Sequence, residues 1–422
     1  MFLCLDVGST WTKGVAVGRD GTLLGVAQHR TTPPEVMDGV AAVTAALPPA
    51  AETLACSSAG GGLRLAVVGQ ERLVSAEAGH RVALSAGAKV VHVSAGSLAN
   101  VYALRASRPD VVLLVGGTDG GDEKVLLHNA SCLARARITA PIVLAGNEEA
   151  RDAALAILAG RTVVATGNVL PDVGELAPEP ARAAIREVFL AHVIGGKGLS
   201  RGRRFRELVS TVTPDAVLSG VATLARQEEG AVLVVDVGGA TTDVYSAVSA
   251  VDERPASTVA LPPDRRTVEG DIGMRVSAPG VVAEAITERL LPPDTDLTAK
   301  ARHRNETVDF VPATPDEQRT DLRIARLAAT LAIRRHLRMV GQLGPTGATV
   351  LVLSGGVFRH ANSLVELEKE LRADLGPVLR NARVVVDREG RLGPAGLLTQ
   401  AGHTTTAATL LTALTTATAQ RP

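Results

Sequence analysis

The sequence predicts an α/β protein in two lobes, on three observations. Two aspartate-led glycine hairpins occur, Asp6-Val7-Gly8-Ser9-Thr10 and Asp236-Val237-Gly238-Gly239-Ala240-Thr241-Thr242-Asp243, each entered and left by an apolar run. Elsewhere, apolar runs that end in glycine alternate with helical patterns, the spacing of mainly parallel strands covered by helices. Residues are 46% hydrophobic but only 2% aromatic, so the core must be built from Val, Leu, Ile and Ala, which suits strands buried on both faces. A chain of 422 residues is longer than one core usually fills. The expected division is a first lobe over 1–228 and a second over 229–396, with 397–422 packing back on the first.

The elements follow in order. Strands over 2–5 and 14–17 flank the first hairpin, and 22–27 supplies a third. A helix over 34–47 stops at Pro48-Pro49, since proline cannot continue it. Cys56 to Gly69 reads as a small-residue loop running into a strand, followed by a helix over 75–84 and a strand over 89–93. The segment Val111-Val112-Leu113-Leu114-Val115-Gly116-Gly117-Thr118-Asp119-Gly120-Gly121 is a strand ending in glycines, followed by a helix over 123–136. Residues 142–147 repeat that pattern, followed by a helix over 148–158. The stretches 170–180 and 201–206 read as surface excursions. Strands over 231–235 and 244–248 flank the second hairpin, and 251–266 reads as a loop. A long helix over 315–343 has a basic face of Arg323, Arg326, Arg334, Arg335 and Arg338, expected to be solvated. Residues 350–353 form a strand ending in Ser354-Gly355-Gly356, and a helix covers 364–375. The Thr/Ala-rich 404–420 is either a helix or a frayed end.

Composition excludes several functions. With 44 basic and 44 acidic residues, no overall field recommends nucleic acid as a partner. Cys4, Cys56 and Cys132 are odd in number and share no CxxC spacing, which argues for buried thiols rather than disulfides, zinc or an iron–sulfur cluster. No apolar run reaches the roughly 18–20 residues of a membrane span, and no charged signal precedes the first strand. The expected location is the cytoplasm.

The hairpins carry the chemistry. Glycines permit close backbone approach, and the turn N–H groups converge on an anion. An aspartate at each strand end suits magnesium, a hard cation that keeps several waters and needs only one or two carboxylates. Two such cups without a Walker loop imply a nucleotide held in a cleft between two halves. Lys13 could reach a terminal phosphate as a point charge or simply face solvent. Asp243 is either a second carboxylate of the site or a hairpin stabiliser. Asn147 and Glu148 read as a helix N-terminus.

The two hairpins and Ser354-Gly355-Gly356, in that order, resemble the phosphate-1, phosphate-2 and adenosine segments of the actin, sugar kinase and Hsp70 ATPase superfamily. The resemblance implies two ribonuclease-H-like lobes around a nucleotide cleft, with ATP and Mg2+ as cofactors. It makes Asp6 and Asp236 catalytic and metal-facing through water, and makes Gly8, Ser9 and Thr10 one phosphate cradle and Gly238, Gly239 and Thr241 the other. Gly355 and Gly356 would face adenine and ribose, where a side chain would obstruct the ring. A closer resemblance, to the MutL (GlmL) family of glutamate mutase accessory proteins, rests on Asp6 to Lys13, Cys56 to Gly69, Leu114 to Gly121, Glu269-Gly270-Asp271-Ile272-Gly273-Met274-Arg275 and Leu392-Gly393-Pro394-Ala395-Gly396-Leu397-Leu398. It covers nearly the whole chain. On that resemblance Asp119 is a third catalytic residue, and Gly116, Gly117 and Thr118 line the cleft wall; the alternative is an Asx-turn. Membership implies a weak Mg-dependent ATPase that reactivates an adenosylcobalamin-dependent mutase, glutamate (methylaspartate) mutase or a related aminomutase. A homodimer is left open. The alternatives are a small-molecule kinase, with Asp119 as base, and an actin-like scaffold. The reductive dehydratase activators share the opening motif, but they hold an iron–sulfur cluster, which the cysteines here do not favour.

Overall fold

A computed structural model describes residues 1–8, 10–58, 63–71, 76, 78–79, 82–83, 88–136, 138–189, 191, 203–249, 264–341, 343 and 346–416. Ser9, most of the expected 75–84 helix, residues 251–263 of the expected loop and the end of the tail lie outside these residues. The chain divides into two compact units, the first mainly Met1–Val217 with Gln400–His403 and the second mainly Leu218–Val251, Pro263–Thr399 and the last helix.

In the first unit, β1 (Phe2–Val7) pairs antiparallel with β2 (Trp11–Val17), which pairs antiparallel with β3 (Leu23–Arg30). On its other side β1 pairs parallel with β4 (Glu52–Ser57), and β4 with β10 (Val209–Val212). The sheet order is therefore β10-β4-β1-β2-β3. Leu3, Leu5 and Val7 face a core shared with Val36, Val40 and Val43 of the Val36–Ala45 helix.

Between β4 and β10 the chain builds a separate sheet, all parallel, from β5 (Arg64–Gly69), β6 (Lys89–Ala95), β7 (Val111–Leu114), β8 (Ile142–Leu144) and β9 (Val163–Ala165), in the order β6-β5-β7-β8-β9. Its central strands β5, β7 and β8 are buried on both faces, as their apolar runs require, while the edge strands β6 and β9 are partly exposed,. Leu65, Val67, Val111 and Leu113 pack with Ala181 and Ile185 of the Pro178–Val188 helix. Ala66, Val68, Val112 and Leu114 pack with Leu126 and Leu133 of the Lys124–Arg135 helix. This sheet was legible strand by strand but not as a second sheet within the unit, where it shares a core with the first. The 170–180 stretch is exposed at 172–175, as expected of a surface excursion, but Leu170 at its start is buried and the Pro178–Val188 helix, with proline in its first turn, begins within it.

The second unit repeats the first sheet's order. There β11 (Ala231–Val237) pairs antiparallel with β12 (Thr242–Val248), and β12 with β13 (Asp264–Glu269). On the other side β11 pairs parallel with β14 (Val350–Ser354), and β14 with β15 (Arg383–Val386). The expected loop over 251–266 thus ends in a strand. The fold is α/β, and the two matched sheets are the ribonuclease-H-like arrangement. Leu233, Val235 and Val237 pack on the Pro315–Val340 helix. That helix opens with a capping box between Thr314 and Glu317, satisfying two orphan donors at once. Of its arginines, Arg323 and Arg338 are exposed as expected, but Arg326 is buried, Arg334 and Arg335 are partly buried, and all five are paired. Arg323 pairs with Asp294, Arg326 with Glu370 and Asp374, Arg334 and Arg338 with Glu288, and Arg335 with Glu269 and Asp271. The acids come from other elements, so the helix's own pattern could not show them.

The boundary between units falls within the Thr213–Glu228 helix. A Cβ at Gly220 would lie 2.1 Å from the Leu392 carbonyl oxygen and 3.3 Å from the Gly396 nitrogen, so this helix crosses Leu392–Gln400 backbone to backbone. The small residues of the Leu-Gly-Pro-Ala-Gly motif serve that crossing. Of the C-terminal segment, Gln400–His403 groups with the first unit; Thr404–Thr416 is a helix in the second, where Gln227 Nε2 donates to the Ala408 carbonyl at 2.9 Å. Among the described residues no helix is long and apolar enough to cross a membrane.

Candidate functional site

Both hairpins close identically. Gly8 N–H donates to the Trp11 carbonyl at 3.0 Å, and Gly238 N–H donates to the Thr241 carbonyl at 2.9 Å. The two turns therefore superpose in sequence, Asp6 on Asp236 and Lys13 on Asp243, each aspartate sitting one residue before the end of its central strand. Asp6 is opposite Lys13 on one side and Cys56 on the other; Asp236 is opposite Asp243 and Ser354.

Asp6 is half-buried, and its Oδ1 accepts a hydrogen bond from Thr213 Oγ1 at 2.6 Å and lies 3.8 Å from Cys56 Sγ. Burial, with Asp6 beside it, pushes the Cys56 thiol well above its ordinary value, and burial pushes Cys4 up to about 12. Both thiols stay protonated. Thr213 follows β10, the fifth strand of its sheet. Sequence reasoning read Asn147 and Glu148 as a helix N-terminus; they follow β8 in the inserted sheet, whereas the fifth strand of the first sheet is Val209–Val212. The opening Thr-Pro-Asp of a helix was the available signal.

The first turn is braced by hydroxyls. Thr31 Oγ1 donates to the Gly8 carbonyl at 2.8 Å, Thr31 N–H donates to the Thr10 carbonyl at 2.9 Å, and Ser57 Oγ donates to the Val7 carbonyl at 2.9 Å. Thr10 is exposed and Lys13 half-buried.

The second turn is braced by backbone. Met274 N–H donates to the Gly238 carbonyl at 3.0 Å, and the N–H groups of Arg275 and Val276 donate to the Gly239 carbonyl at 2.7 and 3.0 Å. A Cβ at Gly273 would lie 2.4 Å from the carbonyl carbon of Ala240, so the Gly-Met-Arg motif is the close-fitting brace of this turn. Gly239 and Ala240 of this turn are exposed. Asp243 is bonded by Arg266 of the neighbouring strand β13, through Nε at 2.9 Å and through Nη2.

Beside this turn opens a cavity of about 590 Å³, within the usual range for a small-molecule site. Gly238, Gly239 and Gly356 border it; Met274, Phe310, Val311, Pro312, Leu322 and Val357 make it apolar, and Gln318, His360 and Asn362 add polar groups. Gly355 has φ +117°, and a Cβ there would lie 2.4 Å from the Val237 carbonyl oxygen. Its constraint is therefore the neighbouring strand, whereas a Cβ at Gly356 would meet no atom within 4 Å.

The Gly116 to Asp119 loop lies at the end of β7. Asp119 Oδ1 accepts from Glu148 N–H and from Asn168 Nδ2, both at 2.9 Å, and Asp119 N–H donates to the Pro171 carbonyl at 3.0 Å. Asn147 Oδ1 accepts from Gly120 N–H at 3.3 Å and its Nδ2 donates to the Gly121 carbonyl at 3.0 Å. These residues clasp the loops after β7, β8 and β9 together. Gly116 and Gly117, at φ +150° and +73°, shape the loop, and Thr118 lies between them and Asp119.

Comparison with known proteins bears on the whole chain. Protein MutL of Clostridium tetanomorphum is 34% identical over 442 residues, spanning 94% of this chain and 96% of that protein. Among solved structures, nucleotide-free acetone carboxylase aligns with a TM-score of 0.42 at 14% identity, over 94% of this chain and 70% of that one. A ROK family glucokinase from Streptomyces griseus, in complex with glucose and AMPPNP, aligns with a TM-score of 0.36 at 12% identity, over 94% and 98%. The family described as MutL protein matches residues 2–414, and the chain belongs to that family.

Proposed function

We propose that this chain is an ATP-binding accessory protein that reactivates an adenosylcobalamin-dependent mutase, such as glutamate (methylaspartate) mutase, in the cytoplasm. Family membership supports the accessory role. The observation that carries the nucleotide is the cavity of about 590 Å³ bordered by Gly238, Gly239 and Gly356: an apolar recess for a base and ribose begins where a glycine turn offers amides to phosphates. Thr241, whose carbonyl closes that turn, completes the second cradle, and Gly8, Ser9, Thr10 and Lys13 would form its counterpart. Gly355 would keep Gly356 beside the nucleoside by fitting against β11.

Asp6 and Asp236, each half-buried at the end of its own strand, would each suit a magnesium ion that retains water. When bound, the ion supplies neutralisation of the charge that develops on the transferred phosphoryl group. Asp6, whose Oδ1 is held by Thr213, would orient water at the strand end. Asp119, held by the loops of the inserted sheet, would act by keeping Gly116, Gly117 and Thr118 in shape. Nucleotide binding and hydrolysis would select between two states of the chain, and the mutase responds only insofar as its affinities for those states differ. Exchange of a spent cobalamin is the chemistry this would serve.

The test mixes the purified chain with an inactivated cobalamin mutase, ATP and fresh adenosylcobalamin. Recovery of turnover that needs all three is expected. No recovery with any such mutase sinks the reactivation reading, and a phosphorylated small-molecule product would make the chain a kinase.

A further inference from the structure

The Gly273-Met274-Arg275 motif does more than brace a turn. Arg275 reaches the cavity from the same residue whose backbone holds Gly239: its Nη2 donates to the Phe310 carbonyl at 3.0 Å and to Asp321 Oδ2 at 2.7 Å, and its Nε donates to the Phe310 carbonyl at 3.2 Å. Asp321 is buried, and its other oxygen accepts from Arg304 Nε at 2.5 Å. Both guanidinium groups also lie against the Phe310 ring, 5.7 and 4.8 Å from its centre. Phe310 is thus held by its carbonyl and by its ring, and it begins the apolar wall continued by Val311 and Pro312.

We infer that Arg275 is a positioning residue of the nucleotide site, setting the apolar wall that meets the base at a fixed distance from the turn that meets the phosphates. The inference rests on the nucleotide reading above and assigns the division of labour within it. The side chain serves the base end. The backbone, made possible by Gly273, serves the phosphate end. A planar five-donor fork suits the task, because its rigid geometry reaches one carbonyl and one carboxylate in fixed directions, whereas a lysine ammonium is a compact point charge on a flexible stem.

The experiment titrates wild type and variants with three probes, adenosine, tripolyphosphate and ATP, by calorimetry. Arg275→Met should weaken adenosine and ATP by about tenfold, the worth of one charge-assisted hydrogen bond, and leave tripolyphosphate within about twofold. Arg275→Lys should recover part of the adenosine affinity, and it carries the test if the Met variant does not fold. Gly273→Ala should show the opposite pattern, losing tripolyphosphate and ATP while keeping adenosine. Equal losses for adenosine and tripolyphosphate in an Arg275 variant would reduce the residue to general support and overturn the inference, as would unchanged adenosine binding. Wild type that binds none of the probes would overturn the nucleotide reading itself, a different result from either of these.

Discussion

The Gly8 turn and the Gly238 turn are built on sheets of the same strand order and close with the same bond, yet they are braced by different means. Thr31 and Ser57 hold the first through hydroxyl side chains. The backbone of residues 274–276 holds the second, and behind that backbone stands a buried ionic group of Arg275, Asp321 and Arg304. Charge differs as well. Lys13 faces Asp6 across the first hairpin, while Asp243, matched by Arg266, faces Asp236 across the second. The shared backbone makes the cup, and the unshared braces decide what each cup can sense. A hydroxyl brace is local to its own sheet, whereas the 274–276 brace reaches the wall of a cavity.

The contrast is best broken at its ionic end. Asp321→Ala leaves Arg304, only 2% exposed, without its carboxylate partner, and the expected loss is about 3–5 kcal/mol in urea unfolding, the scale for a broken buried pair. A loss below about 1 kcal/mol would mean that the group does not support the second turn.

The next effect compares the two carboxylates. Asp6→Ala and Asp236→Ala should each lower ATP hydrolysis by about a hundredfold or more, measured by phosphate release with circular dichroism unchanged. A large effect at one site alone would show that the matched turns do unequal work.

A pH dependence belongs to the second unit. His336 is fully buried between Ser246 and Thr267, at 2.8 and 3.0 Å, and burial, with Arg265 nearby, lowers its pKa from 6.5 to about 3. The unfolded chain therefore binds the extra proton first. Stability from this group is complete above pH 6.5 and is lost as pH falls toward about 3,. Denaturant midpoints at pH 7, 5 and 4 should fall more steeply in wild type than in His336→Gln; parallel curves would remove the histidine from the account. The smallest effect is expected at the first turn, where Thr31→Val should cost about 1 kcal/mol, the usual net worth of one hydrogen bond.

Particular residues show what could be read in advance. The hairpins were legible because strand, turn and return strand lie within a few residues, and the glycine spacing that permits the turn is written in one place. The hydrogen bonds of Asp119 to Glu148 and Asn168 could not be read in advance, because they join loops of a parallel sheet whose pairings are far apart in the chain. Arg326 and Arg335 read as solvent-facing because their acids, Asp374 and Glu269, sit on other elements. Thr213 was missed because nothing local ties it to Asp6.

The sequence by itself determined the α/β class, the two aspartate-tipped turns and the family, since apolar periodicity and turn glycines act over short range. The tertiary structure decided which strand completes each sheet, that an entire parallel sheet stands between β4 and β10, and that the Gly-Met-Arg motif braces the second turn beside a cavity. Those outcomes depend on which distant segments pair and pack, and pairing energy is set by complementary surfaces that no local stretch of sequence contains.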